Sequence, residues 1–199
     1  MRTIFLDEEQ VSAIAENLPL SSWLPLWIAA ETGLRIGDVV SLRRDQIEHF
    51  TIRYTAQKTG KDGEAQISAK LATALSDYVA SCKRSRWLFP SPKDRKKHLT
   101  RQACWYRVKK ACKGAGIDPE GVAPHSFRKH FAVELYRESG FKAVQNALQH
   151  DRATTTEIYA LSDFSTGKNA EKPLLRKDLQ MIINKCVEAV LLSFDKKSH

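Results

Sequence analysis

The sequence predicts an α+β fold, mainly α-helical with one small antiparallel sheet. Two patterns lead to it. Most segments carry apolar residues at helical spacing between Pro, Gly or polar punctuation. One region breaks that rhythm: FTIRYTAQ (50–57) alternates with β-branched and aromatic residues, KTGKDG (58–63) supplies a turn with two glycines, and EAQIS (64–68) alternates again. At 199 residues and 42% hydrophobic content the chain is long enough for one well-buried domain, or one domain with an appendage.

In chain order, Leu6 before Asp7, with Gln10 and Val11 after it, reads as a hydrophobic staple and a capping residue opening a helix to about Leu18. SSWLPLWIAAET (21–32) is a mostly apolar core helix, with Pro25 placed in its first turn and Gly33 closing it. A short helix starts near Ile36, and Ile47 to Ser68 forms a hairpin or three-stranded sheet. Helices follow at about 69–83, 100–115, 125–139, 141–148 and 154–161. GKNAEKP (167–173) reads as a linker, and the apolar spacing of LLRKDLQMIINKCVEAVLLSF (174–194) as a C-terminal helix that packs on its own chain or on a neighbouring subunit.

Lys and Arg number 32 against 23 Asp and Glu, a formal charge of +9, which favours a polyanionic partner such as nucleic acid. KDRKKH (93–98) is a short basic run that suits a solvated loop as well as a phosphate contact. Cys82, Cys104, Cys112 and Cys186 lack the paired spacing of a zinc or redox motif, so reduced cytosolic thiols are expected. There is no apolar run long enough to suggest a membrane span, and neither GxxxxGK[ST] nor GxGxxG occurs to suggest nucleotide binding.

Four segments carry candidate chemistry. TGLRIGDVVSL (32–42) places Arg35 between two helices among apolar residues, with Asp38 close enough to orient a guanidinium. Lys58 sits at the hairpin tip. PHSFRKHFA (124–132) puts His125 and Arg128 on one helical face, with Phe127, Phe131 and Leu135 as an apolar stripe. In LQHDRATTTEIYA (148–160), Tyr159 stands nine residues after His150; on one unbroken helix of about 100° per residue they would point to opposite sides. Thr154 with Glu157 reads as a capping box for a new helix, and the break before it lets both side chains turn to one place. Together the four segments supply guanidinium forks for non-bridging oxygens, a movable ammonium, two imidazoles and a phenol able to attack phosphorus.

In order and context these motifs resemble the tyrosine recombinases of the phage-integrase type, over about Leu6 to Leu161. The resemblance implies a catalytic domain over 1–166, followed by the linker and C-terminal helix at 167–199. It implies that Tyr159 attacks a scissile phosphate of double-stranded DNA, leaving a 3′-phosphotyrosyl link and a free 5′-hydroxyl. Arg35 and Arg128 would neutralise the phosphate, Lys58 protonate the departing oxygen, and His125 transfer protons. His150 would hydrogen-bond or position the phosphate, and Asp38 support the site from behind. No metal, cofactor or ATP is implied. Partners would be DNA and further copies of the chain, a tetramer on DNA, in the cytoplasm at the nucleoid.

The sequence departs from the family at Gln149, where glycine is usual, and in lacking the helical core-binding domain expected ahead of the catalytic one, as in a fragment or a short member. Two other readings use the same residues: a type IB topoisomerase that nicks and reseals, and an inactive DNA-binding regulator. Thr154→Ala should cost about 1 kcal/mol of local helix stability; a variant that melts with the wild type would refute the capping assignment.

Overall fold

A computed structural model describes residues 3–82 and 85–148 of the chain. The segments holding His150, Thr154, Tyr159 and the C-terminal helix lie outside the described residues. Those described divide into two compact units after Phe131.

The first unit opens with α1 (Glu8–Glu16). Asp7 accepts a hydrogen bond from Gln10 N at 2.8 Å and Gln10 Oε1 accepts one from Asp7 N at 3.1 Å, the reciprocal cap expected from the sequence. Leu6 and Val11, the staple pair, are both buried. Next, α2 (Leu20–Thr32) buries ten of its thirteen residues, among them Trp23, Leu24, Trp27 and Ile28. An apolar surface all round suits only a central helix, since each large side chain removed from water contributes about 1.5–3 kcal/mol. Pro25 lies in the second turn rather than the first, because the helix starts at Leu20. It cannot donate to the carbonyl of Ser21, which is at an exposed position where water can replace the lost bond.

Gly33 ends α2 in the left-handed conformation, φ 70° and ψ 10°, and its N–H donates to Ala29 O at 3.1 Å. The chain turns at once into α3 (Ile36–Val40), with Arg35 at the N-cap. A three-residue 3-10 turn follows, then β1 (Ile47–Glu48), β2 (Thr51–Thr55) and β3 (Asp62–Gln66), an antiparallel sheet in that order. Ile52 and Tyr54 of β2 are buried while Arg53 and Thr55 are exposed, the alternation of a half-buried strand. On the solvent face Arg53 reaches Glu48 at 2.9 Å and Glu64 at 3.2 Å. Such exposed pairs are worth only about 0.2–1 kcal/mol each, so burial rather than charge holds the sheet. The β2–β3 loop, 56–61, lies two residues earlier than the expected turn at 58–63: Gly63 pairs with Tyr54 inside the sheet, and Ala56 N donates to Lys61 O at 2.8 Å across the loop.

Ser68 caps α4 (Ala69–Ser81), its hydroxyl accepting from Leu71 N at 3.2 Å, and Thr100 caps α5 (Arg101–Gly114) through Ala103 N at 3.1 Å. Between them the chain adds pairing that the sequence pattern did not reveal. Leu88 N donates to Leu42 O at 2.9 Å and Leu99 N to Phe89 O at 2.7 Å, and Leu88 and Phe89 are buried. The basic run 93–98 forms the loop beyond a Pro90–His98 bridge and is held down by Trp87 Nε1 donating to Lys96 O at 2.9 Å. Its Lys93, Arg95, Lys96 and Lys97 are exposed.

The last described helix is α6 (Pro124–Ala147), with proline at the first helical position and a break at Gly140 between the two helices expected from the sequence. In the first unit α6 is more enclosed than its pattern implies: Ser126, Phe127, Arg128 and His130 are all buried, whereas Phe131 of the apolar stripe is only half-buried. The polar members find backbone acceptors there. Lys129 Nζ donates to Thr3 O, and His130 Nδ1 lies 3.0 Å from Leu6 O. In the second unit Leu135 is likewise half-buried, while Ala132 and Val133 are buried and Arg137 pairs with Glu134 at 2.8 Å.

Gly33→Ala should destabilise the chain by about 1–2 kcal/mol, because a Cβ at that φ crowds the following carbonyl. Urea denaturation measures it; a midpoint within error of the wild type would show that the turn tolerates a side chain.

Candidate active site

Five of the singled-out residues fall in the first unit, and hydrogen bonds draw their segments together. Arg128, 4% exposed, donates from Nη1 to the carbonyl of Gly33, two residues before Arg35. This bond crosses 95 residues of sequence. Arg35 is half-buried at the start of α3, and among the described residues no hydrogen bond or ion pair engages its guanidinium. His125 precedes Arg128 by one turn of α6 and is also half-buried.

Lys58 is exposed in the β2–β3 loop. Its neighbour anchors it: Gln57 N donates to Asp38 Oδ1 at 3.0 Å, and Gln57 Nε2 to Gly37 O at 3.2 Å and Ser41 Oγ at 2.8 Å. The base of the loop is thus fixed to α3, the helix that begins next to Arg35. Asp38 is 5% exposed, and the hydrogen bond its carboxylate receives comes from the hairpin rather than from a guanidinium.

Tyr54 belongs to the same neighbourhood and was not singled out from the sequence. Burial pushes its phenol above the usual tyrosine range; Arg128 pulls it down, Asp38 raises it and Arg35 lowers it. Arg35, Asp38 and Arg128 thus each act on the same phenol. Tyr54, Asp38 and Ser41 also line a cavity of about 300 Å³, together with Arg43, Arg86 and Trp87. The inward register of Tyr54 was readable from strand alternation, but nothing in the sequence marked its neighbours. Among the described residues no group of three or more His, Cys, Asp or Glu side chains is placed to hold a metal ion. The remaining two candidates, His150 and Tyr159, are outside the described residues.

The pattern of the phage integrase family matches residues 5–166. The chain belongs to that family. Among phage integrase relatives, the tyrosine recombinase XerC of Roseiflexus sp. (strain RS-1) is 32% identical over 175 residues, covering 77% of this chain and 54% of the relative. The tyrosine recombinase XerD of Vibrio vulnificus (strain YJ016) is 31% identical over 172 residues, covering 77% and 55%. The chain therefore spans about half the length of these relatives. The crystal structure of XerA recombinase has a similar fold, with a TM-score of 0.68 at 23% identity over 83% of this chain and 65% of that one. So has a lambda integrase dimer bound to a COC′ core site, with a TM-score of 0.67 at 19% identity over 84% and 50%. The α+β phage integrase fold, helical with a three-stranded antiparallel sheet, is the one expected from the sequence.

A phenol whose folded pKa is raised contributes stability that is complete below its unfolded value of 10.0 and is lost as pH rises through the folded value. Tyr54→Phe should therefore flatten the decline in stability above pH 10, measured as the difference in urea midpoint from the wild type. Parallel curves for the two proteins through that range would rule the linkage out.

Proposed function

We propose that this chain is a site-specific DNA recombinase that cleaves and rejoins strands through a 3′-phosphotyrosyl intermediate. The observation that supports it most is the bond from the buried Arg128 guanidinium to the Gly33 carbonyl, which ties α6 to the segment that carries Arg35 two residues later. Two planar cations match the non-bridging oxygens of a phosphodiester. The relatives named tyrosine recombinases and the DNA-bound lambda integrase point the same way.

In this reading the Tyr159 oxygen attacks the scissile phosphorus and its proton passes to His125. The bond from phosphorus to the 5′-oxygen breaks as Lys58 protonates that oxygen, and Arg35 and Arg128 hold the charge that builds on the phosphate. His150 donates to the same phosphate. Asp38 acts through the hairpin, keeping Lys58 near α3. A phenol with an ordinary pKa of about 10 is mostly protonated at neutral pH, so surrounding cations and a base are physically necessary. One ester replaces another, so the bond energy is kept for rejoining by the 5′-hydroxyl. We place the protein in the cytoplasm at the nucleoid, acting as a tetramer on double-stranded DNA. Among the described residues no helix is long and apolar enough to cross a membrane.

The test is a nicked suicide duplex carrying the sequence that the wild-type chain enriches from a random pool. A denaturation-resistant adduct mapping to Tyr159 is expected, absent in Tyr159→Phe and reduced roughly 10²–10³-fold in Arg35→Ala or Arg128→Ala. An adduct formed by Tyr159→Phe would remove the nucleophile, and no adduct from the wild type would reduce the chain to a binding module.

A further inference from the structure

Lysine is a poor choice for delivering a proton to one atom. Its ammonium rides on four rotatable bonds with about 2 kcal/mol of rotamer entropy, and here it also sits in an exposed loop. Precision has to come from the backbone that carries it. The hydrogen bonds of the preceding residue supply that backbone restraint.

We infer that Gln57 is a positioning residue for Lys58: its amide groups clamp the exit of β2 onto α3 and so fix the point from which the lysine side chain departs. The inference rests on the reading of Lys58 as the proton donor to the leaving oxygen. Three features of the clamp are specific. First, it uses both parts of the residue, the backbone N–H on the buried carboxylate of Asp38 at 3.0 Å and the carboxamide on Gly37 O at 3.2 Å and Ser41 Oγ at 2.8 Å. Second, its polarity is consistent. Ser41 donates its own hydrogen to Asp38 O at 3.0 Å, so its oxygen is left to accept, and a carbonyl and a hydroxyl oxygen together call for an amide donor. Glutamate in the same place has no hydrogen to offer and adds charge near Asp38.

Third, Gln57 packs directly on α3. A Cβ at Gly37 would lie in ordinary contact with Gln57 Oε1, at 3.4 Å, and closer to Arg101 Cδ, at 3.2 Å. The clamp thus ends on the helix whose N-cap is Arg35. A rigid link between the residue that protonates the leaving group and one that holds the phosphate is what a shared transition state needs, because displacement by about 1 Å can cost 10²-fold in rate.

The experiment compares two versions of the suicide duplex, one with the ordinary scissile phosphodiester and one with sulfur in place of the bridging 5′-oxygen. A thiolate, with a conjugate acid near pKa of about 8.5, leaves without being protonated, so a defect confined to proton delivery disappears on the sulfur substrate. Gln57→Met keeps the length and the backbone N–H and loses the side-chain donors. It should cleave the oxygen substrate roughly 10- to 100-fold more slowly than the wild type and the sulfur substrate at close to the wild-type rate. Gln57→Glu should behave likewise, and Lys58→Ala should show the same selectivity more strongly. Equal losses on both substrates, or no loss on the oxygen substrate, would overturn the role of Gln57 while a selective Lys58→Ala leaves Lys58 as the donor. A Lys58→Ala protein without selectivity, or a wild type that forms no adduct, would remove the proton-donor reading and Gln57 with it.

Discussion

The candidate site depends on a buried guanidinium that is anchored by a backbone carbonyl. Removing a charge from water costs several kcal/mol unless it finds partners, and Arg128 is 4% exposed. The Gly33 carbonyl provides one where α2 ends, and a helix C-terminus carries partial negative charge from its unpaired carbonyls. Gly33 is there because the chain must reverse in the left-handed conformation before α3 begins. A single residue therefore closes the core helix, receives Arg128 and launches the segment with Arg35. Phe127, stacked edge-on to Trp23 at 5.9 Å, fixes α6 against α2 so that the reach is correct.

The sheet is attached to this centre by the same kind of economy. Its exposed ion pairs contribute little, and its weight is carried by Ile52 and Tyr54 on the inner face. At the end of β2, Asp38 converts that packing into position by accepting the Gln57 N–H. Glu31 does the corresponding job at the end of β3, accepting from the N–H and hydroxyl of Ser68 and so joining α2 to the start of α4. Both carboxylates bind backbone of a strand that is leaving the sheet. The hairpin is thereby fixed at its base, while the loop bearing Lys58 remains exposed.

What could be read from the sequence was local or periodic. The Asp7–Gln10 cap, the Gly33 stop, the hairpin and the break at Gly140 all depend on a few adjacent residues, whose chemistry is the same in any fold. The pairing of Leu88 with Leu42 could not be read, since it joins two irregular segments with no periodic pattern of their own. Nor could the burial of Arg128 and His130, because acceptors from Gly33 and Leu6 arrive from distant parts of the chain. Of the site, the residues with unusual chemistry stood out by type and order: Arg35, Asp38, Lys58, His125 and Arg128. Tyr54, Gln57 and Ser41 did not, because a strand tyrosine, a turn glutamine and a helix-end serine are ordinary until their partners are known.

The choice of partners has an electrostatic consequence. In the proposed reaction, Arg35, Lys58 and Arg128 would lose their attraction for phosphate if each cation were matched by a carboxylate. Among the described residues Asp38 is a buried acid of this region, and the hydrogen bond it accepts comes from a backbone amide. Arg128 meets a neutral carbonyl, Arg35 meets no described partner, and the nearest phenol is kept protonated by its burial. Among the described anchors, the one on Arg128 is a neutral carbonyl and the Asp38 carboxylate is taken up by the hairpin. In the proposed reaction, a site anchored this way would stabilise the charge that builds on the phosphate without first giving up the bonds that hold it in place.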